Sequence, residues 1–256
     1  MHEVNWRRDT AAIWRARTET LRPVRHLDPV RLEDLLGVET QKAQLVDNTE
    51  RFLAGRPCNH VLLWGSRGTG KSSLVKAVLN EYAQRGLRLI EVDKDDLLVL
   101  PEIVDDIRER PQRFIIYCDD LSFGEGEHQY KHLKSVLEGS IELPPDNVCL
   151  YATSNRRHLM PEYERENETT RVVDGEIHHG ESVEEKLSLA DRFGLCLSFY
   201  PVSEAQYFAM VDYLFPDVSD RDKLHMHARR FAIDKGVRSG RTARQFYNAW
   251  SGIFTP

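Results

Sequence analysis

One octapeptide limits what this chain can fold into. Gly65-Ser66-Arg67-Gly68-Thr69-Gly70-Lys71-Ser72 matches G-x-x-x-x-G-K-[ST] at every position. The pattern has meaning only between a strand and a helix, and both flanks comply. His60-Val61-Leu62-Leu63-Trp64 reads as a short buried strand, and the segment from Ser73 to Leu79 has helical composition and apolar spacing. Glycines let such a loop curl until its N–H groups face a phosphate, and the following helix N-terminus adds partial positive charge. Residues Gly65 to Ser73 are therefore the expected phosphate cradle. Lys71 is expected to reach the β- and γ-phosphates of a nucleoside triphosphate, with the Ser72 hydroxyl on Mg²⁺.

Such a loop needs an acid to complete it. Phe114-Ile115-Ile116-Tyr117-Cys118 is a near-continuous apolar run ending in Asp119-Asp120. A strand buried on both faces of a parallel sheet reads this way, and ligands sit beyond the carboxyl ends of such strands. Asp119 is thus the expected second Mg²⁺ anchor, and Asp120 the group expected to orient or deprotonate an attacking water.

The rest of the chain alternates strand and helix signals, which predicts a parallel α/β sheet. Strands are expected at Leu87–Val92, Val148–Ala152 and Leu195–Phe199, and helices at about Gln41–Ala54, Leu97–Arg110, Gln129–Leu137 and Glu184–Ala190. Asn5 to about Arg25 reads as a packed helix broken by Pro23 and Pro29. Pro161 to about Gly180 is polar and acidic, and reads as a long exposed loop. Beyond Pro201 helical periodicity continues to Trp250. The expected divisions are residues 1–31 for an N-terminal helix and linker, 32–200 for an α/β nucleotide-binding domain and 201–256 for a helical domain.

A net charge of −6, from 41 acidic against 35 basic residues, argues against a surface broadly adapted to nucleic acid. No window approaches the length of apolar residues a membrane span needs, and the first residues show no apolar leader core, so a cytoplasmic address is expected. The four cysteines are far apart, without a C-x-x-C pair, and read as reduced core residues. His178-His179 and His225/His227 lack companion ligands at zinc spacing. Tyr207, Phe208, Tyr213 and Phe215 read as helix core.

Beyond the phosphate motifs, from about Leu32 onward, the chain resembles the AAA+ ATPases, a superfamily of P-loop NTPases. Leu35-Leu36-Gly37-Val38 looks like the segment that lies over adenine, which implies Gly37 and Val38 as ATP contacts. Ala152-Thr153-Ser154-Asn155 resembles the sensor-1 motif, and implies that Asn155 holds the attacking water. Asp191-Arg192-Phe193-Gly194 looks like the arginine-finger box, implying that Arg192 enters a neighbouring subunit's site. Gly240-Arg241-Thr242-Ala243-Arg244 looks like sensor 2, with Arg241 on the γ-phosphate and Arg244 as the nearby alternative. Most superfamily members have Glu where Asp120 stands, and Asp is one methylene shorter. The Asp119-Asp120-Leu121-Ser122-Phe123 and Ala152–Leu159 stretches are similar to an uncharacterised bacterial AAA+ branch carried as a domain of unknown function.

The resemblance implies a three-layer αβα P-loop fold with a small C-terminal all-helical lid, hydrolysis of ATP with Mg²⁺, a homo-oligomeric ring or partial ring, and a protein partner still to be identified. Two features narrow the partner. Asp95-Asp96-Leu97-Leu98-Val99-Leu100-Pro101 stands where protein-threading members carry an aromatic–hydrophobic–glycine loop, and it has neither aromatic nor glycine. Gly139 to Asn147 is too short for the β-hairpin of several nucleic-acid motors. The readings left open are a partner-remodelling ATPase, a nucleotide switch with little hydrolysis, and a helicase-loader-like DNA adaptor.

Overall fold

The computed structural model describes residues 4–123, 133, 137, 143–156, 171–173, 176–178 and 189–254. Its framework is a seven-stranded sheet. In chain order the elements are β1 (Ala11–Arg15), β2 (Thr20–Pro23), α1 (Glu39–Leu53), β3 (Val61–Gly65), α2 (Lys71–Tyr82), β4 (Leu87–Glu91), α3 (Leu100–Ile107), β5 (Arg113–Cys118), β6 (Val148–Ser154), β7 (Arg171–Val173), β8 (Glu176–His178), β9 (Leu195–Phe199), α4 (Glu204–Leu214), α5 (Arg221–Lys235) and α6 (Gly240–Phe254). Across the sheet the order is β2-β1-β4-β5-β6-β3-β9, and β7 pairs with β8 in a separate two-stranded sheet. Within the seven-stranded sheet the pairings from β1 across to β9 are parallel, and β2 pairs antiparallel with β1 at the edge.

Strand alternation sends successive side chains to opposite layers. Phe114, Ile116 and Cys118 of β5 pack with Leu62, Leu150 and the α3 residues Leu100, Ile103, Val104 and Ile107. Ile115 and Tyr117 pack on the other face with Leu45 and Phe52 of α1 and Leu74, Val75, Val78 and Leu79 of α2. This is the expected three-layer arrangement, and each fully buried leucine or phenylalanine contributes about 1.5–3 kcal/mol to it. A third apolar cluster lies within α4, α5 and α6, around Tyr207, Val211, Phe215, Leu224 and Phe246.

The segment Asn5 to Arg25 corrects its helical reading, because it supplies β1 and β2. β1 pairs in parallel with β4, so Ala11, Ala12 and Ile13 oppose Leu89, Ile90 and Glu91. The strand edge of β4 offers a full ladder of hydrogen bonds, which outweighs the weak helical periodicity of a short stretch. Trp6 anchors what precedes β1, edge-on to Phe114 at 5.0 Å, and its carbonyl accepts from the buried Arg88 Nε at 2.8 Å.

Two more corrections follow. Within the expected loop 161–180, Arg171–Val173 and Glu176–His178 pair as antiparallel strands. Cys118 and Cys149 are buried as expected, but Cys196 is exposed on β9 and Cys58 is only partly covered. The acidic residues Glu162, Glu164, Glu166 and Glu168, and most of the helices expected at 129–137 and 184–190, lie outside the described residues.

Candidate nucleotide site

β3 ends at Gly65 and hands the chain to a loop that α2 closes at Lys71. Gly65 has φ +132°, and a Cβ there would lie 2.0 Å from the Phe199 carbonyl of the adjacent β9. Only glycine fits that contact, in which Ser66 N donates to Phe199 O at 3.0 Å. Gly68, with φ +78°, faces the C-terminal helices, and a Cβ would meet Ser239 Oγ at 2.9 Å. The loop is thus shaped by β9 on one side and by the start of α6 on the other.

Lys71 Nζ donates to the Gly65 and Ser66 carbonyls at 2.8 and 2.7 Å and to Asn155 Oδ1 at 3.2 Å. Burial lowers its pKa, while the Asp120 and Asp119 carboxylates oppose that shift. Ser72 Oγ donates to Asp119 Oδ1 at 2.8 Å. The same carboxylate oxygen accepts from Tyr117 Oη at 2.8 Å and from Thr153 Oγ1. Burial works to raise the Asp119 carboxyl, but the hydrogen bonds from Thr153, Tyr117 and Ser72 outweigh it and hold the group below the usual carboxylate range.

Asp120 is a non-glycine residue at positive φ, +50°. That conformation is disfavoured for a residue with a Cβ, and two contacts from β6 hold it. Asp120 N donates to Thr153 Oγ1 at 2.9 Å and Leu121 N to Thr153 O at 2.7 Å. The Asp120 carboxylate in turn accepts from Asn155 Nδ2. The two strand ends that the sequence singled out therefore meet through side chains, with Thr153 at the junction.

These groups open onto a cavity of about 940 Å³, within the size range of ligand pockets. Arg67, Gly68, Thr69, Gly70, Lys71, Ser72 and Ser73 line it, together with Asp119, Asp120, Asn155, Val38 and Arg241. Gly65 and Ser66, whose carbonyls accept from Lys71, do not line it, and Gly37 sits between the lining residues Leu36 and Val38, with its N–H donating to Glu39 Oε1 at 2.9 Å. Arg241 lies at the loop end, where its N–H approaches Gly68 O at 3.5 Å and its charge acts on Lys71. Arg244 faces the other end, where its charge acts on Asp34 and its guanidinium lies 5.8 Å from the Tyr247 ring centre. Arg192, just before β9, does not line the cavity.

Sequence reasoning missed part of this wall. Tyr213 of α4 lines the cavity and donates to Asp34 Oδ1 at 2.6 Å, so it is not helix core as expected, whereas Tyr207 and Phe215 are. Asp28, Pro29 and Val30 also line it, held over α2 by Asn80 Nδ2, which donates to the Asp28 and Val30 carbonyls at 2.8 Å each. Tyr117 and Thr153 were legible in principle, since Tyr117 is two residues before Asp119 and shares its strand face. A hard divalent cation suits the donors present. Ser72 and Asp119 offer only oxygen, at adjacent positions, which fits Mg²⁺.

The family model for "Protein of unknown function (DUF815)" matches residues 7–254. The chain belongs to the DUF815 family. This DUF815 chain also has the fold of RuvB from Thermotoga maritima. Two single-substitution variants of that protein superpose with TM-scores of 0.50 and 0.51 at 15% identity, covering 86% of this chain and 72% of theirs. The expected P-loop AAA+ fold, with its C-terminal helices, and the closeness to a branch of unknown function both hold. In sequence, the chain is similar to the replication factor C large subunits of Staphylothermus marinus (36% over 69 residues) and Ignicoccus hospitalis (39% over 70 residues). Those matches cover 27% of this chain but only 16% and 14% of the two relatives' own length.

Proposed function

We propose that this chain is an ATPase that binds ATP with Mg²⁺ and hydrolyses it at subunit interfaces to remodel or regulate a partner protein. One observation carries the reading. The phosphate loop, the Ser72–Asp119 pair, the Asn155–Asp120 pair and Arg241 all open onto a single cavity between sheet and C-terminal helices.

Each part then has a task. The loop N–H groups and Lys71 bind the phosphates, and Ser72 and Asp119 hold Mg²⁺, which when bound neutralises phosphate charge. Leu35, Leu36, Gly37 and Val38 lie against the base. Asp120 accepts the proton of the attacking water, and Asn155, bonded to both Asp120 and Lys71, orients that water between them. Arg241 approaches the γ-phosphate from α6, and its location at the loop end favours it over Arg244. Negative charge spreads over the γ-phosphate oxygens during transfer, so a fixed guanidinium lowers the barrier. Arg192, outside its own cavity, supplies the corresponding charge to a neighbouring subunit, as the resemblance implies. Residues 201–256 act as the lid that carries Arg241 and Tyr213. The setting is a cytoplasmic homo-oligomer, and the acidic 161–180 segment is the proposed partner surface. No helix among the described residues is long and apolar enough to cross a membrane.

The test is Mg²⁺-dependent phosphate release by the wild-type chain beside Lys71→Ala. Release by the wild type, at least about 100-fold faster than by the variant, supports the reading, whereas equal rates reject it. A nucleotide switch is the second reading, favoured by the short Asp120 side chain being held by Asn155 in a disfavoured backbone conformation. It requires tight binding with turnover well below one per minute. A DNA adaptor draws on the words "replication factor" in the relatives' names, and predicts ATP-dependent binding to single strands that weakens steeply with salt.

A further inference from the structure

At the amino ends of the parallel strands, away from the cavity, two cysteines, Cys58 and Cys149, pack into one apolar cluster. The parallel register that pairs Val61 with Tyr151 carries back to set Cys149 opposite Asn59, beside Cys58. Cys149 Sγ donates to the Asn59 carbonyl at 3.2 Å. Asn59 is fixed in turn by Asn48, whose Nδ2 donates to its carbonyl at 2.9 Å and whose Oδ1 accepts its N–H at 2.9 Å. Cys149 is buried, while Cys58 is partly open to solvent.

The surroundings divide the two sulfurs chemically. Side-chain hydrogen bonding with Cys149, with help from the nearby Arg113 guanidinium, holds the Cys58 thiol below its ordinary range despite its partial burial. The same contact and full burial hold Cys149 well above it, so Cys149 keeps its proton. Arg113 is steadied by Asp146 at 3.5 Å and by the face of Phe52. A partly exposed thiol of lowered pKa beside a cation is the setting in which cysteine reacts, and a second thiol nearby is what resolves the product.

We propose that Cys58 and Cys149 form an oxidisable pair that a hydroperoxide converts into an intramolecular disulfide. The Cys58 thiolate attacks the peroxide, so that an S–O bond forms and the O–O bond breaks. The departing oxygen takes a proton and leaves as water or an alcohol. Cys58, oxidised by two electrons, is then a sulfenic acid. Cys149 sulfur attacks it, the S–S bond forms, and the hydroxyl leaves with the Cys149 proton as water. The bridge would tie the segment that leads into β3, beyond whose far end lies the phosphate loop, to β6, beyond whose far end lies Asn155.

The test uses the full reduced chain with equimolar hydrogen peroxide, followed by alkylation of the remaining thiols and unreduced peptide mapping. Expected are two of the four cysteines blocked and a linked peptide pair joining Cys58 to Cys149, reversed by dithiothreitol. Cys149→Ser should leave a sulfenic acid on Cys58 that dimedone captures. A link through Cys196 or Cys118 in the wild-type chain overturns the proposal. So does Cys58 that stays reduced, or that passes to sulfinic acid while Cys149 remains a thiol.

Discussion

Ser72 Oγ and Asp119 Oδ1 are joined by a 2.8 Å hydrogen bond that ties the first turn of α2 to the end of β5. The two sequence motifs, separated by nearly fifty residues, thereby become one oxygen-donor pair. Asp119→Ala removes the carboxylate that Ser72 is bonded to, and leaves Tyr117 and Thr153 without their shared acceptor. Mg²⁺-dependent phosphate release should fall by about 100-fold or more, measured at saturating ATP. A fall of less than about three-fold would remove Asp119 from the proposed cation site.

Tyr117 acts through Asp119. Burial, then the Asp119 charge, raises its phenol above the ordinary range, so it stays a donor at any working pH. Tyr117→Phe deletes that one donor and nothing else of its shape. The expected result is an apparent Mg²⁺ affinity about 10-fold weaker, read by titrating Mg²⁺ at fixed ATP, with turnover at saturating Mg²⁺ within a few-fold of wild type.

The Tyr213–Asp34 contact spans the cavity from α4 to the turn before α1. Tyr213→Phe should speed dissociation of a fluorescent ATP analogue several-fold in stopped flow, while turnover at saturating ATP changes little. An unchanged off-rate would mean that the contact does not gate the cavity.

His60 gives a pH dependence of defined sign. Its Nδ1 accepts from Leu150 N at 3.0 Å, and burial pushes its pKa down to about 4 from 6.5. The folded state therefore disfavours the protonated ring. Between pH 6.5 and about 4 the unfolded chain binds the proton first, so stability falls as pH falls through that window, by up to about 3 kcal/mol. His60→Asn, whose Oδ1 can take over the bond from Leu150, should flatten that part of the profile in thermal melts from pH 7 to pH 4.5.

The sequence spoke most clearly where a motif and a period coincide. The loop 65–72 demands a strand before it and a helix after it, and β3 and α2 stand there. The apolar run 114–118 is buried on both faces because α3 packs on one side of β5 and α1 and α2 on the other, as a run without polar alternation requires. The N-terminal strands were not legible for a physical reason. The turn between β1 and β2 passes through Glu19 at φ +48°, with no glycine or asparagine to announce a hairpin, and β1 owes its form to the distant β4 edge. Tyr213 was misread because apolar spacing alone cannot tell which side of a helix meets a core. Val211 points into the cluster of C-terminal helices, and two residues on, about 200° around the helix, Tyr213 points at the cavity.

Hydrolysis at shared sites is the central claim, and complementation tests it most directly. Arg192→Ala keeps its own phosphate loop but lacks the proposed finger, and Lys71→Ala keeps the finger but lacks a working loop. Each alone should release phosphate at least about 100-fold more slowly than wild type, and an equimolar mixture should recover a substantial fraction of the wild-type rate. Arg192→Ala with wild-type turnover at every protein concentration, or a mixture as slow as its two components, would contradict the account.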